Sequence, residues 1–382
     1  MPADPAPRLH RRIFTLDSHL DTPTAGFLRR GWRFDRRHDI RADGSQCDLP
    51  RMRAGGLKAA VFAVFILQTA RTPAGRRAAR ATAFALLRRT RATLARHARA
   101  CAVAVTAADG PRIAAGGRRA IYLSIENGHA VGAELSSLAE FRHLGVRLLG
   151  FTHLLNNDLG DASTDPRGPE WHGLSPLGRE AVAECNRLGI VPDASHASDA
   201  VLAELLERSR TPVVLSHSGC QAVFPHPRNI DDGLLRALAR QGGVIQINSL
   251  STYLVAAPPD AARDATLRAL MARFARTPLT LGVMAEAERD FREFDRRYPR
   301  PGATLDHFLD HLVHAVEVAG IDHVGIGTDF DGGGGVEGLR DAADYPNVTR
   351  ALAARGFAAA DLAKIWGGNL LRVLRAAEVA AR

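Results

Sequence analysis

Short apolar, β-branched runs alternate with longer Ala/Leu/Arg-rich segments of helical period along almost the whole chain. The runs are IFTL (13–16), AAVFAVFIL (59–67), AIYLSI (120–125), VRLLGFT (146–152), GIVPDAS (189–195), PVVLS (212–216), GVIQIN (243–248) and HVGIGT (323–328). Between and after them, helical periodicity falls near 76–99, 134–144, 176–187, 198–209, 231–241, 303–319, 349–355 and 360–379. Repetition of strand and helix is the pattern of βα units around a parallel sheet. Eight such units in an uninterrupted chain predict an α/β fold, a single closed (β/α)8 (TIM) barrel. With 382 residues, 46% of them apolar, the chain can bury a core of that size. No repeat or low-complexity linker divides 1–382, so one domain is expected. Residues 1–11 are expected to be a flexible arm, and 249–302 a long insertion after strand seven, near the mouth of the barrel.

What stands at the C-terminal ends of these runs narrows the chemistry. In order they are His19 and Asp21, Gln68, Glu126, His153, His196, His217, Asn248 and Asp329. Barrel active sites are built on that face. Any one of these side chains is most simply a hydrogen-bonded rim residue. With 15 His and 27 Asp in the chain, roughly one His-x-Asp pair arises from composition alone. On a strand, however, residues i and i+2 share a face, so His19 and Asp21 would converge on one point. A run of such groups at successive strand ends is hard to attribute to chance.

Three histidines with carboxylates make a nitrogen-and-oxygen site suited to zinc, manganese, cobalt or iron. The four cysteines, Cys47, Cys101, Cys185 and Cys220, are scattered and form no C-x-x-C pair, which argues against a zinc ribbon or a disulfide framework. So many ligands can hold two ions, and paired ions usually share a bridging carboxylate and a water of lowered pKa. Lys58 and Lys364, the only lysines, lie away from strand ends. The bridge is therefore expected from a carboxylate, and Glu126 is best placed.

The net charge of +9 and the nine arginines between Arg71 and Arg99 invite a nucleic-acid reading. That stretch also carries Ala83, Phe84, Leu86, Leu87 and Leu94, the marks of an amphipathic helix with a solvated basic face, so no nucleic-acid partner is expected. No apolar run approaches the roughly 20 residues of a membrane span, and MPADPAPRLHRR leads into IFTLDSHLDT without a signal-peptide h-region. A soluble, cytoplasmic protein with no membrane partner is the expectation.

In their order and spacing, DSHLDTP, SIENGHA, GFTHLLNN, DASHAS, VVLSHSGC, HPRNI, GIGTDFDG and GGNLLRVL resemble the membrane dipeptidase (renal dipeptidase) family of metallopeptidases, peptidase family M19, among the amidohydrolase-like barrels. The resemblance runs along nearly the whole chain. It implies a single barrel with a dinuclear zinc site, in which His19 and Asp21 ligate one ion, His196 and His217 the other, and Glu126 bridges them. It implies further that His153 touches the substrate carbonyl and the tetrahedral intermediate, and that Asp329 carries a proton from the bridging water to the leaving amine. Asp331 is the rival for that last role. Arg228 would hold the C-terminal carboxylate of a dipeptide, as a planar guanidinium fork is suited to do, with Tyr253 in the same pocket.

The implied reaction is hydrolysis of a dipeptide by the bridging hydroxide, and relatives often accept a D-residue at the C-terminal position. A homodimer is the assembly the resemblance implies. Asp17, on the face of His19 but deeper in the strand, is expected to orient it, and the Gly332–Gly335 run is read as a tolerant loop. Two alternatives stand beside this. One is another amidohydrolase-type metal hydrolase acting on an N-acyl amino acid, a lactone or a phosphoester. The other is a non-enzymatic binding protein that uses the basic 71–99 segment.

Overall fold

The strands of the barrel form where the apolar runs lie, displaced in places by a few residues. In the computed structural model, which describes residues 6–300 and 302–381, they are β1 (Leu16–Leu20), β2 (Ala59–Phe65), β3 (Cys101–Val103), β4 (Arg119–Glu126), β5 (Val146–Gly150), β6 (Val191–Asp193), β7 (Val214–Cys220), β8 (Asn229–Ile230), β9 (Val244–Ile247) and β10 (Val324–Ile326). Eight run side by side in the order β1-β2-β4-β5-β6-β7-β9-β10, every neighbouring pair parallel. The short β3 and β8 pair outside this path with β4 and β7. A single parallel bridge, Leu20 to Phe330, joins the first strand to the segment after the last. The chain is a (β/α)8 barrel closed at a narrow seam.

Alternation along the strands divides the core. Leu16, Ala59, Val61, Ala120, Tyr122, Leu148, Val191, Val214 and Val244 form one buried cluster with Leu370, Val373 and Leu374 of the C-terminal helix Asn369–Ala380. This is the interior of the barrel, plugged from below by that helix. On β4 the same face continues through Ser124 to Glu126, which is thereby delivered to the top. The larger cluster fills the space between the strands and the surrounding helices.

Two expectations are corrected. The arm expected over 1–11 is, in its described part, the helix Ala6–Arg12; residues 1–5 lie outside the described residues. His10 is fully buried there, with Nε2 2.7 Å from the Gly55 carbonyl and Nδ1 2.6 Å from Thr349 Oγ1. The first strand, expected over 13–16, is instead LDSHL itself, all five residues buried. The side chains of Asp17 and Ser18 are satisfied by Thr328, Tyr345, Ser216 and Ile326, far away in the chain, which an apolar-run criterion cannot register.

After β9 the insertion forms the helices Ala261–Ala275 and Leu281–Arg297. It is tied to three loops at the C-terminal ends of strands. Arg292 Nη1 donates to the Ala25 carbonyl (3.3 Å), the Ala70 amide donates to the Ala275 carbonyl (3.1 Å), and Arg300 donates to the Gly333 carbonyl. The basic stretch folds as the helix Pro73–Arg96. Many of its arginines are engaged within the chain: Arg76 with Asp158 and Arg80 with Glu134, each with a contact of 2.8 Å or less, and Arg89 and Arg91 with the Phe27 and Leu144 carbonyls. Among the described residues no helix is long and apolar enough to cross a membrane.

Candidate metal centre

Glu126 ends β4 at the centre of the barrel mouth, 6% exposed, and its two oxygens face different partners. Oε2 lies 3.3 Å from His19 Nε2, which is itself 3.2 Å from Asp21 Oδ2. Oε1 lies 3.3 Å from His196 Nε2 and 3.7 Å from both His217 Nε2 and His153 Nε2. Three sets of ligand atoms converge to within 4.8 Å: His19, Glu126 and His217; Glu126, His153 and His196; and His19, Asp21 and Asp329. The strand ends thus bring together His19, Asp21, Glu126, His153, His196, His217 and Asp329.

The donor set suits divalent cations. His19 Nε2 and His196 Nδ1 are buried without a hydrogen-bond partner, an uncommon condition for interior polar atoms. The Nε2 atoms of His196 and His217 face each other at 2.8 Å, an arrangement natural for lone pairs aimed at a common ion. Ser216 Oγ sits 2.9 Å from His217 Nδ1 and 3.4 Å from His19 Nδ1. It can accept a hydrogen bond from the Nδ1–H of either ring and leave Nε2 free to ligate, the usual outer support of a metal-bound imidazole. Burial, and then the positive field of Arg228 and the neighbouring histidines, holds His196 and His217 well below the ordinary histidine range, in the neutral form a ligand needs.

The carboxylates report the complementary strain. Burial raises Asp21 and raises Asp329 well above the usual carboxylate range, and Glu126 pushes both the same way. Burial opposes a charge on His19, yet Glu126 and Asp21 hold its pKa well above normal. Acidic groups crowded in low dielectric call for cations. Between Asp21 and Asp329 lies Gly332: a Cβ there would stand 2.2 Å from Asp21 Oδ2 and 2.3 Å from Asp329 Oδ1. The residue read as part of a tolerant loop is therefore a spacer that lets the two carboxylates approach.

Asp17 departs from the role expected of it. Its carboxylate accepts from the His19 backbone amide (2.9 Å), not from the imidazole, and from Thr328 Oγ1 (2.7 Å) and Tyr345 Oη (2.6 Å). Gln68 turns aside too, with Nε2 on the Asn156 carbonyl and Oε1 accepting from Asn127. Asn248 stays at the site, its Nδ2 3.4 Å from Asp329 Oδ2. Ser216 was missed in the sequence, where its place beside His217 was the only signal, and Gly332 was read only as loop.

Arg228 lies beside this centre. It is 3% exposed, donates Nη2–H to the His217 carbonyl (3.0 Å), and has its guanidinium carbon 5.2 Å from the Tyr253 ring centroid. Its Nε is buried without a partner, and no carboxylate of the described residues pairs with it. A buried, unpaired guanidinium is costly unless an anion arrives. His153 is half-buried, its ring 4.6 Å from Phe65 and 4.2 Å from His196. Burial and Arg228 lower its pKa to about 3, so it meets a ligand as neutral imidazole.

Comparison with known proteins gives a family model, described as membrane dipeptidase (peptidase family M19), that matches residues 3–382. Dipeptidase tcpJ of Claviceps purpurea is 34% identical over 271 residues, which are 71% of this chain and 54% of that protein. Dipeptidase aclJ of Aspergillus oryzae is 33% identical over 267 residues, 70% of this chain and 53% of that one. The chain spans about half the length of the curated relatives it matches. Among solved structures, the probable dipeptidase PvdM from Pseudomonas aeruginosa superposes with a TM-score of 0.83 at 32% identity over 98% of both chains. A metallo peptidase from Rhodobacter sphaeroides, liganded with a phosphinate mimic of the dipeptide L-Ala-D-Ala, does so with a TM-score of 0.74 at 25% identity, over 96% of this chain and 99% of that one.

Proposed function

The chain belongs to the membrane dipeptidase family of metallopeptidases, and from that premise we propose that it hydrolyses dipeptides at a dinuclear metal site. The observation that carries this reading is the division of Glu126, with Oε2 turned to His19 and Asp21 and Oε1 to His196 and His217. His19 and Asp21 would hold one ion and His196 and His217 the other. Zinc suits this nitrogen-and-oxygen set. When bound there, such a pair would lower the pKa of a water towards neutrality and supply Lewis-acid polarisation of the scissile carbonyl.

The chain's own groups bind, orient and move protons. Arg228 would take the C-terminal carboxylate, with Tyr253 packed on its guanidinium face. That anchoring limits the substrate to a short peptide, because an extension beyond the second residue would remove the carboxylate from its reach. Neutral His153 would donate a hydrogen bond to the carbonyl oxygen as negative charge develops there. Asp329, kept protonatable by burial and by Asp21 and Glu126, would carry a proton at its carboxylate to the departing amine. Asp331 is ill suited to that task because both of its oxygens already accept hydrogen bonds, from the Gln46 amide and Thr22 Oγ1.

The L-Ala-D-Ala mimic carried by the Rhodobacter neighbour supports extending the substrate range to L,D as well as L,L dipeptides. The cytoplasmic setting and the homodimer belong to the same proposal. Four buried cysteines, all free, fit a reducing compartment. The test is a panel of L,L and L,D dipeptides, each also as the C-terminal amide and the N-acetyl derivative. Cleavage of free dipeptides that a chelator abolishes and added zinc restores is the expected result. Preferential cleavage of the N-acetyl compounds would instead favour an N-acyl amino acid hydrolase, and no cleavage of any would overturn the proposal.

A further inference from the structure

The seam that closes the barrel lies between the two segments holding Asp21 and Asp329, and backbone pairing there is sparse. Beyond the Leu20–Phe330 bridge, the segments exchange only Asp329 N–H to the His19 carbonyl (3.1 Å) and Asp21 N–H to the Phe330 carbonyl (2.9 Å). The flanking ladders are longer, three residue pairs in β1–β2 and three in β9–β10, and β2 and β4 stay in register over seven; only β6 and β7 pair as briefly, at Asp193–Val214. The spacing of Asp21 and Asp329 therefore needs another restraint. Side chains supply it.

Asp331 Oδ2 accepts from Thr22 Oγ1 at 2.6 Å and Oδ1 from the Gln46 amide at 2.7 Å, while the Asp331 amide donates to Gln46 Oε1 at 2.8 Å. Gln46 Nε2 in turn donates to the Gly334 and Arg340 carbonyls at 2.7 and 2.8 Å. One carboxylate thus joins the residue after Asp21, the segment before the helix Leu49–Ala54 and the loop that carries Asp329. Asp329 and Asp331 both have left-handed backbones, φ 62° and 68°. L-residues adopt that conformation at a cost and hold it where the surroundings fix it.

We propose that Asp331 is a positioning residue that clamps the barrel seam and so sets the separation of Asp21 and Asp329 across Gly332. It touches neither substrate nor ion and acts through Thr22, Gln46 and the backbone of 329–334. The catalytic consequence rests on the dipeptidase reading above. Misplacement of reacting groups by about 1 Å can cost on the order of 100-fold in rate, whereas Arg228 is held by the His217 carbonyl and Tyr253, outside the clamp, and anchoring through it would be little affected.

The experiment uses the full chain with Asp331→Asn and, because that variant could fold poorly, Thr22→Val, which removes one donor and keeps the shape. In both, kcat for a dipeptide should fall roughly 10- to 100-fold with KM within about threefold, and the acid limb of the kcat–pH profile should move. Amide hydrogen exchange should quicken in 19–24, 46 and 328–334 while the rest of the barrel keeps its protection. Unchanged kcat, pH profile and exchange in both variants would overturn the proposal, as would a loss of kcat that only tracks the folded fraction. If the unaltered protein cleaves no dipeptide, the functional reading fails. The exchange measurement then decides the clamp alone, local loosening supporting it and unchanged protection refuting it.

Discussion

Gly332 shows how much of a site can depend on a missing side chain. Its Cβ would fall within 2.3 Å of a carboxylate oxygen on either side, so Gly332→Ala must push Asp21 and Asp329 apart. The expected outcome is a loss of about 100-fold in kcat/KM with the thermal midpoint lowered only slightly; steady-state kinetics beside thermal unfolding checks it. Arg228 gives a second prediction. An unpaired buried guanidinium that meets the substrate carboxylate should make Arg228→Ala cost roughly 2–4 kcal/mol in transition-state stabilisation, about 30- to 1000-fold in kcat/KM. The variant should also lose the preference for a free dipeptide over its amide. An unchanged preference would remove Arg228 from the pocket. At this scale the sequence was highly legible where a residue's chemistry is its signal, as with His19, Glu126, His196 and His217. It was silent where the signal is geometry. The resemblance favours Asp329 over Asp331, but the physical reason is not in the letters: it is the pair of hydrogen bonds that occupy both oxygens of Asp331.

The elements were legible by type and less so by boundary. The run AAVFAVF is strand in sequence and structure alike, because both of its faces are buried. The first strand slipped from 13–16 to Leu16–Leu20 because Asp17 and Ser18 are satisfied by Thr328, Tyr345, Ser216 and Ile326, partners nearly 200 or more residues away. The two-residue β8 is too short for any periodicity to reveal. The N-terminal helix Ala6–Arg12 was hidden in a charged, Pro-flanked stretch, and its anchor is one histidine. Burial lowers His10 to about 4, and Thr349 Oγ1, which accepts from Trp366 Nε1 (2.8 Å), donates to its ring. A lowered folded-state pKa means that the unfolded chain binds the proton more readily. His10 therefore contributes stability that is present in full above about 6.5 and is lost as pH falls towards 4, by up to about 3 kcal/mol. Thermal unfolding of the protein and of His10→Gln should differ more at pH 8 than at pH 5. A gap that stays constant with pH would show that His10 does not titrate this way.

For the whole molecule, the barrel was foreseeable because eight βα units leave few alternatives. The placement of the insertion was less so, since only the folded chain shows Arg292 and Arg300 reaching loops on either side of the seam. The mouth gathers four histidines and three carboxylates from strands spread across more than 300 residues. Filling it with cations should stabilise the entire barrel. Ion removal is accordingly expected to lower the thermal midpoint, and re-addition to restore it in proportion to the logarithm of free metal. Metal quantification on the purified protein and on Glu126→Ala, beside dipeptide turnover, tests the dinuclear site most directly. About two equivalents in the unaltered protein, as a shared-carboxylate pair requires, with both binding and turnover impaired in the variant, is the expected result. A metal-free protein that still cleaves dipeptides, or full occupancy and turnover without Glu126, would contradict it.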